Sequence, residues 1–298
     1  MSIYIARSQN RGHERVNLYK FPTDDVFMIS MSSIDDSLFI KKDTSSNEWR
    51  ITYPFDRKTN DKYLQKLLQD ISTLQRMKKP LTKDQNRYDY YKVNIAKGHR
   101  LILFDIEGGI LDDSYFGIAD LQNYGTVRGA ADYTVYEISE NIFNDIIPTP
   151  SLWRDNTIIK FDNAKADSIK ISHTEHSFTL FQKQNTWVYK AKEGIMLLNN
   201  LDPAFSRLMS QLSNMSTSSF IDDAWEQHAE SFSYPLLEMF VYHNDGKVDR
   251  LAFIKKDDRS VIVKVNEQTD ILYTCLMGVY NRFALTSKDF EDIFSYSL

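Results

Sequence analysis

One short segment carries residue types that bind metal ions: His173, Thr174, Glu175 and His176. Zinc sites commonly use imidazole groups, and a water in an open coordination position could hydrolyse a substrate. The segment follows the strand-like run 168–172, and its composition is also that of an exposed turn. No second cluster of Cys, His or acidic residues is tied to it by a motif. We predict no catalytic residue, no metal site and no cofactor, and keep a metal-dependent hydrolase that uses His173 and His176 as the alternative function.

Pairs of adjacent acidic residues recur along the chain. A glycosidase needs two carboxylates that face one cleft, and a calcium-binding EF-hand needs alternating ligands with a closing Glu. Neighbouring residues on a strand point to opposite faces, and most of these pairs fall in turn sequences. We therefore expect no catalysis and no calcium binding from Asp24–Asp25, Asp35–Asp36, Asp112–Asp113, Asp222–Asp223 or Asp257–Asp258.

The most basic stretch and a cluster of tyrosines lie next to each other. Residues 76–87 include five Lys or Arg side chains, but they straddle a predicted helix end, where cations favour the helix dipole. No glycine-rich phosphate loop or nucleophile elbow is present, so we expect no nucleic-acid partner. Tyr88, Tyr90 and Tyr91 precede a strand. Tyrosine is enriched at protein interfaces as well as in sheets, and we take these three as candidate partner-binding residues.

The composition is that of an ordinary folded protein. The chain has 298 residues, of which 42% are hydrophobic, and a formal net charge of −5, which argues against a nucleic-acid-binding or strongly basic membrane surface. The single Cys275 excludes an internal disulfide. No window approaches about 18 apolar uncharged residues, so we expect no membrane insertion by this chain. A cytoplasmic location is expected if the chain is complete as written, and the extracytoplasmic face of a bacterial envelope if an N-terminal membrane helix has been removed.

An aromatic and a helical stripe recur at one fixed separation. Trp49 is followed by Leu67, Ile71 and Leu74, and Trp187 is followed at the same distances by Phe205, Met209 and Leu212. These eight residues are the predicted core. The pattern predicts a tandem duplication of an α+β unit with antiparallel sheets. In each copy, one long amphipathic helix packs over a tryptophan-bearing strand, and a short helix closes the unit.

Turn and capping residues divide the chain. Asn60 and Asp202 are predicted to cap the long helices, and Pro80 to stop the first. Asp245–Gly246 predicts a tight hairpin turn. The predicted organisation is an N-terminal extension (1–20), a first repeat (21–147), a Pro-containing linker (148–156) and a second repeat (157–298).

The passage Trp153–Asp162 (WRDNTIIKFD), with the order of strands and helices around it, resembles a bacterial tandem-repeat family of unknown function. Its members are often encoded beside ABC transporters of the gliding-motility type, and usually begin with a membrane helix that places the repeats outside the cytoplasm. The resemblance implies a binding or assembly module. It supplies no catalytic residues. We therefore predict a non-enzymatic subunit of a transporter-linked or envelope-associated complex, with other protein subunits as partners.

Overall fold

The computed structural model describes residues 14–119, 124–173, 176–184, 186–192, 194–282 and 284–294. The chain divides into two compact units, Met1–Asp155 and Asn156–Leu298. Both are built mainly from antiparallel sheet, and strands make up 42% of the structure. No helix in these described ranges is long and apolar enough to cross a membrane.

The first unit is organised around a sheet of eight strands, with a separate two-stranded ladder of β1 and β6. The strands of this unit are β1 (Arg15–Asn17), β2 (Met28–Ser32), β3 (Ser37–Lys42), β4 (Trp49–Tyr53), β5 (Arg57–Lys58), β6 (Gln75–Met77), β7 (His99–Phe104), β8 (Ile110–Ile118), β9 (Gly125–Gly129) and β10 (Tyr136–Glu137). The order across the large sheet is β10-β9-β8-β7-β2-β3-β4-β5, and every neighbouring pair is antiparallel.

One helix covers the core face of this sheet. Helix α1 (Asp61–Thr73) begins at Asn60, whose side chain accepts hydrogen bonds from the backbone N–H groups of Lys62 and Tyr63, as the capping prediction required. It buries Leu64, Leu67 and Ile71, and Leu74 after it is buried with them beside Trp49. The other helices of the unit are short: α2 (Tyr88–Tyr91), α3 (Pro150–Trp153) and the 3-10 turns Thr23–Asp25, Gln85–Arg87 and Phe143–Ile146.

The second unit is organised around a sheet of nine strands, with a separate ladder of β11 and β16. The strands of this unit are β11 (Thr157–Lys160), β12 (Ala166–His173), β13 (Ser177–Lys183), β14 (Thr186–Ala191), β15 (Ile195–Leu197), β16 (Asn214–Ser216), β17 (Ser219–Asp222), β18 (Leu237–His243), β19 (Val248–Lys255), β20 (Ser260–Val265) and β21 (Ile271–Leu276). The order across the large sheet is β15-β14-β13-β12-β18-β19-β20-β21-β17. Its predicted hairpin turn is present, with Gly246 at a φ of 85°.

The inner face of the nine-stranded sheet holds the core. Helix α4 (Pro203–Ser213) begins at Asp202, whose side chain accepts from the N–H of Ala204. Phe205, Met209 and Leu212 are buried on the same core as Trp187. The remaining helices are α5 (Trp225–His228), α6 (Met277–Tyr280), α7 (Ser287–Phe294) and the 3-10 turns Asn163–Lys165 and Ser231–Ser233.

The predicted fold class, a tandem α+β duplication with one long helix per copy, is wrong. Helix α1 has 13 residues and α4 has 11, so each is about three turns long and covers only part of its sheet. The first ends at Thr73 rather than at Pro80, because the chain turns into β6 immediately afterwards. The predicted short closing helix of the first copy is only the 3-10 turn Phe143–Ile146. Large antiparallel sheets, not helices, define both units.

The segment predicted as a linker packs into the first unit. Pro150 occupies the first position of α3, where its missing N–H costs nothing. Trp153 is buried and donates its indole N–H to the carbonyl of Ile147 at 2.8 Å. Arg154 lies next to Thr59 in a β-bridge. The tryptophan in this segment therefore belongs to a core.

An acidic side chain points into the first core. Alternation along β8 places Asp112 on the same face as the buried Ser114 and Phe116. Burial, strengthened by the charge of Asp113, raises the pKa of Asp112 to about 6 despite a hydrogen bond from Ser114. Its Oδ2 atom and the hydroxyl of Tyr19 are buried, and neither has a hydrogen-bond partner in the described ranges. Burial, with the charge of Asp112, also raises the pKa of Tyr19.

Replacing Asp112 with Asn should therefore stabilise the protein at neutral pH. An aspartate in the unfolded chain titrates near pH 4, whereas folded Asp112 keeps its proton up to about pH 6. Stability of the wild type should thus fall as the pH rises from about 4 to about 6, by at most about 3 kcal/mol. We expect Asp112→Asn to raise the free energy of unfolding by about 1–3 kcal/mol at pH 7.5 and to change it little near pH 4, as measured by urea denaturation.

Asp113→Asn is the matched control for this prediction. Asp113 points away from the core and accepts two hydrogen bonds from Arg100, at 2.8 and 2.6 Å. Its replacement should lower stability at pH 7.5, because it removes a paired charge rather than a buried one. An Asp112→Asn variant that is no more stable than the wild type at pH 7.5 would contradict the argument.

Candidate protein-interaction surface

A cross-strand row of five apolar side chains and one serine runs over six strands on the outer face of the nine-stranded sheet. Directly opposed residues in antiparallel strands share a face. Leu197 opposes Val188, which in turn opposes Phe181. The row continues through Ser168, Tyr242 and Val248. Leu197 is 63% exposed, Val248 44% and Tyr242 38%, whereas Val188 is buried and Phe181 is partly buried. We call these six residues the apolar row.

Lysines flank the part of the apolar row that lies on β12, β13 and β14. Alternation from the row places Lys170, Lys183 and Lys190 on the same outer face, and all three are exposed. On the outer face of β12 from Ser168 onward, and of β13, β14 and β15, the charged side chains of the described residues are lysines, whereas Asp167 lies exposed at a bulge at the start of β12. This face is therefore positive although the chain as a whole carries a net charge of −5.

The other half of the outer face is covered by the chain itself. Trp225 and Phe232 stack at 5.6 Å between ring centroids, and Phe232 is buried with Ala252, Ile254, Ile262 and Leu272 in a small second core. The Nζ of Lys264 lies 4.3 Å from the Trp225 ring centroid, so its charge interacts with the indole face. A cavity of about 190 Å³ remains beside them.

A polar network fixes the hairpin that presents Tyr242 and Val248. Asp249 accepts hydrogen bonds from His243 Nε2, Lys247 Nζ and Asn266 Nδ2, at 2.9, 3.0 and 3.2 Å. Burial acts to raise the pKa of Asp249, but these donors outweigh it and lower the pKa below its ordinary value. The carboxylate is thus held ionised by three donors. Sequence reasoning did not identify this network, in which His243, Lys247 and Asp249 belong to one hairpin and Asn266 directly follows β20.

The predicted partner-binding tyrosines form part of a packed cluster in the first unit. Tyr91 is buried, and Tyr90 is 36% exposed and packs edge-on against it at 4.9 Å. Tyr88 is partly buried and donates its hydroxyl hydrogen to the carbonyl of Tyr133 at 3.0 Å. Of the three, Tyr90 has the most accessible ring, while Tyr91 presents little surface to a partner. Partner binding at this cluster stays a prediction.

Arg128 holds the cluster together. Its side chain is 8% exposed, and its guanidinium carbon lies 4.7 Å from the ring centroids of both Tyr88 and Tyr115. Nε donates to the carbonyl of Val93 at 3.0 Å, and Nη1 lies within 3.2 Å of the carbonyls of Gly129, Ala130 and Asp132. A planar fork with several donors makes all of these contacts at once, which an ammonium group cannot do.

The histidines proposed as metal ligands lie in a hairpin. The carbonyl of His176 accepts from the N–H of His173 at 2.7 Å, which closes the turn between β12 and β13. His173 Nε2 lies 3.0 Å from the carbonyl of Leu285 and donates to it, so this nitrogen is occupied. Burial lowers the pKa of His173. Thr174 and Glu175 lie outside the described residues. Within the ranges that are described, no group of three or more His, Cys, Asp or Glu side chains is arranged to hold a metal ion.

Sequence reasoning missed the edge strand beside the apolar row. The run Ile195–Met196–Leu197–Leu198 follows Gly194 and is short, apolar and uncharged, which is typical of a strand bounded by a turn. The presence of this strand could therefore have been predicted from the sequence. The pairing that aligns Leu197 with Val248, five strands away, was not, because register depends on contacts between distant segments.

Arg128→Lys should destabilise the first unit by about 2–4 kcal/mol, because it removes a fork of hydrogen bonds and leaves buried carbonyls without a donor. Arg76→Lys is the control: Arg76 also lies over a tyrosine ring, 4.0 Å from the Tyr136 centroid, yet it donates to a single carbonyl among its described contacts, that of Met77. Arg76→Lys should lower the free energy of unfolding by less than about 1 kcal/mol. If urea denaturation gives the same decrease in the free energy of unfolding for Arg128→Lys and Arg76→Lys, the proposed role of the Arg128 guanidinium is wrong.

Comparison with known proteins identifies a family but not an activity. Residues 49–235 match the family described as Domain of unknown function (DUF4340), which agrees with the predicted resemblance to a family of unknown function. Neither the curated proteins nor the solved structures gave a match. The family match covers more than half of the chain and extends from Trp49 in the first unit to Pro235 in the second. The chain therefore belongs to the DUF4340 family.

Proposed function

We propose that this chain is a non-catalytic protein-binding module that works as one subunit of a larger assembly. The observation that carries the proposal is the apolar row with its flanking lysines on the outer face of the nine-stranded sheet. Single exposed apolar side chains are normal at a protein surface, but several that share one sheet face favour an interaction site. Leu197, Tyr242 and Val248 are exposed at 63, 38 and 44% and belong to one cross-strand row.

The structure of this surface favours a protein partner over a small ligand. A sheet face is broad and shallow, whereas small-molecule sites are concave and enclose most of the ligand. The row also lies on strands that are anchored from the opposite face. There, Ile169 and Ile171 of β12 and Leu180 of β13 are fully or almost fully buried. A preformed surface loses little conformational entropy on binding. Lysines at its margin would steer an acidic partner and suppress basic ones.

The setting of this assembly is part of the proposal. The resemblance noted for residues 153–162 implies a complex linked to an ABC transporter or to the bacterial envelope. A protein-binding face on a small sheet-rich domain suits such a role, since subunits of membrane-bound machines associate through soluble domains. The alternative of a hydrolase that uses His173 and His176 has weaker support, because His173 Nε2 is hydrogen-bonded to the carbonyl of Leu285.

Crosslinking in the source organism tests the proposed function. A tagged chain should capture one or a few identified proteins in reproducible ratio. Phe181→Ser combined with Tyr242→Ser should reduce their recovery by at least about tenfold, because loss of apolar contacts at the centre of an interface costs more than about 1.4 kcal/mol. The control is Ile106→Ser with Ile110→Ser, which alters two exposed residues of the first unit, at 60 and 64%. Recovery of the chain alone, together with turnover of a small substrate, would contradict the proposal.

A further inference from the structure

The edges of the two sheets differ in how they are protected. In the first sheet the edge strands β5 and β10 are only two residues long, and both carry charge. In the second sheet β17 ends in Asp222, but β15 consists of Ile195, Met196 and Leu197. Short length and charge are the usual means by which proteins prevent an edge strand from pairing with another chain. Strand β15 has the uncharged, apolar sequence that such protection normally removes.

The backbone of β15 presents hydrogen-bonding groups to the open side. Leu198 N–H donates to the carbonyl of Trp187, and Ala191 N–H donates to the carbonyl of Gly194. In the antiparallel register these bonds alternate, so Met196 exchanges its bonds with Tyr189 while Ile195 and Leu197 lie at non-bonded positions. The N–H and C=O groups of Ile195 and Leu197 therefore point away from β14. No hydrogen bond to them is found within the described part of the chain.

The side chains of β15 extend the apolar row to the open edge. Ile195 is 68% exposed and Leu197 63%, and both lie on the outer face, whereas Met196 packs against the inner core. Lys190 lies directly opposite Ile195 on β14. A further strand beside β15 would be two strand spacings from β14, about 9–10 Å. A carboxylate side chain and the flexible stem of a lysine can together span that distance.

We infer that β15 is the docking site for an extended segment of a partner protein, which adds to the sheet as its next strand and carries carboxylates among apolar side chains. This inference rests on the proposed function and specifies its partner. Backbone bonds to Ile195 and Leu197 supply affinity, as in other cases of strand addition. The lysines select the acidic sequence. A second copy paired through β15 is disfavoured, because it would bring the same lysines to the junction.

Binding of designed peptides tests the inference with the full chain. The probes are two fluorescent peptides of about eight residues, one alternating valine with glutamate and the other alternating valine with lysine. At low salt the glutamate peptide should bind at least about fivefold more tightly, and high salt should reduce the difference as the charges are screened. Binding is measured by fluorescence anisotropy up to about 1 mM peptide.

Two variants locate the binding site. Leu197→Pro removes an outward-pointing N–H without removing a bond to β14, so the fold should persist while binding of the glutamate peptide falls at least about tenfold. Ile195→Glu places a negative charge on the edge and should weaken the same peptide without relying on proline. Ile110→Glu, at a 64% exposed position of the first unit, is the control and should leave binding unchanged.

The outcomes separate this inference from the proposed function. Selective binding that is lost in both β15 variants and retained in the control supports it. Equal affinity for both peptides, binding unaffected by the variants, or binding of neither peptide overturns it. A dimer of the pure chain that Leu197→Pro dissociates also overturns it, since β15 would then take a second copy. In those cases the proposed function still stands if crosslinking captures a partner through Phe181 and Tyr242.

Discussion

The second unit depends on one constraint: its sheet is wider than the elements that cover it. A sheet of nine strands has two faces, and each can be buried only by side chains that pack on it. The inner face is covered by α4 and α7 over the main core. On the outer face, Trp225 and Phe232 cover only the part formed by β19, β20 and β21. The part formed by β12 to β15 therefore keeps apolar side chains at the surface.

The inner core also determines how rigid the open part is. Tyr189 on β14 is almost fully buried and stacks on Phe290 of α7 at 4.4 Å between ring centroids, with an interplanar angle of 7°. Phe178 on β13 lies 5.2 Å from the same ring. Buried aromatic pairs of this kind contribute about 0.5–1.5 kcal/mol beyond the area that they bury. They fix β13 and β14 from beneath, so the residues that alternate with them are held on the outer face.

Local features of the fold could be predicted from the sequence, and features that depend on pairing could not. Asn60 and Asp202 cap helices as expected, and Gly246 forms the predicted turn, because each of these depends on a few neighbouring residues. The fold class was wrong because helical stripes are more periodic than short strands and were given too much weight. Asp112 shows a second limit. An Asp–Asp pair is typical of a turn, but Asp112 and Asp113 lie within β8. There, the carboxylate of Asp113 pairs with Arg100, and that of Asp112 points into the core.

The lysines on the neighbouring strands oppose pairing of the open apolar edge with a second copy of the chain. Strand pairing between two copies would bring Lys190 of each near the same junction, and like charges at short range oppose association. Lysine is also a residue that natural sheets use to protect their edges. Here it lies on the strands next to the edge rather than on β15 itself. The charge therefore discourages self-association, while the backbone groups and the apolar side chains of Ile195 and Leu197 remain accessible. The same arrangement that keeps copies of this chain apart gives the edge its preference for an acidic strand.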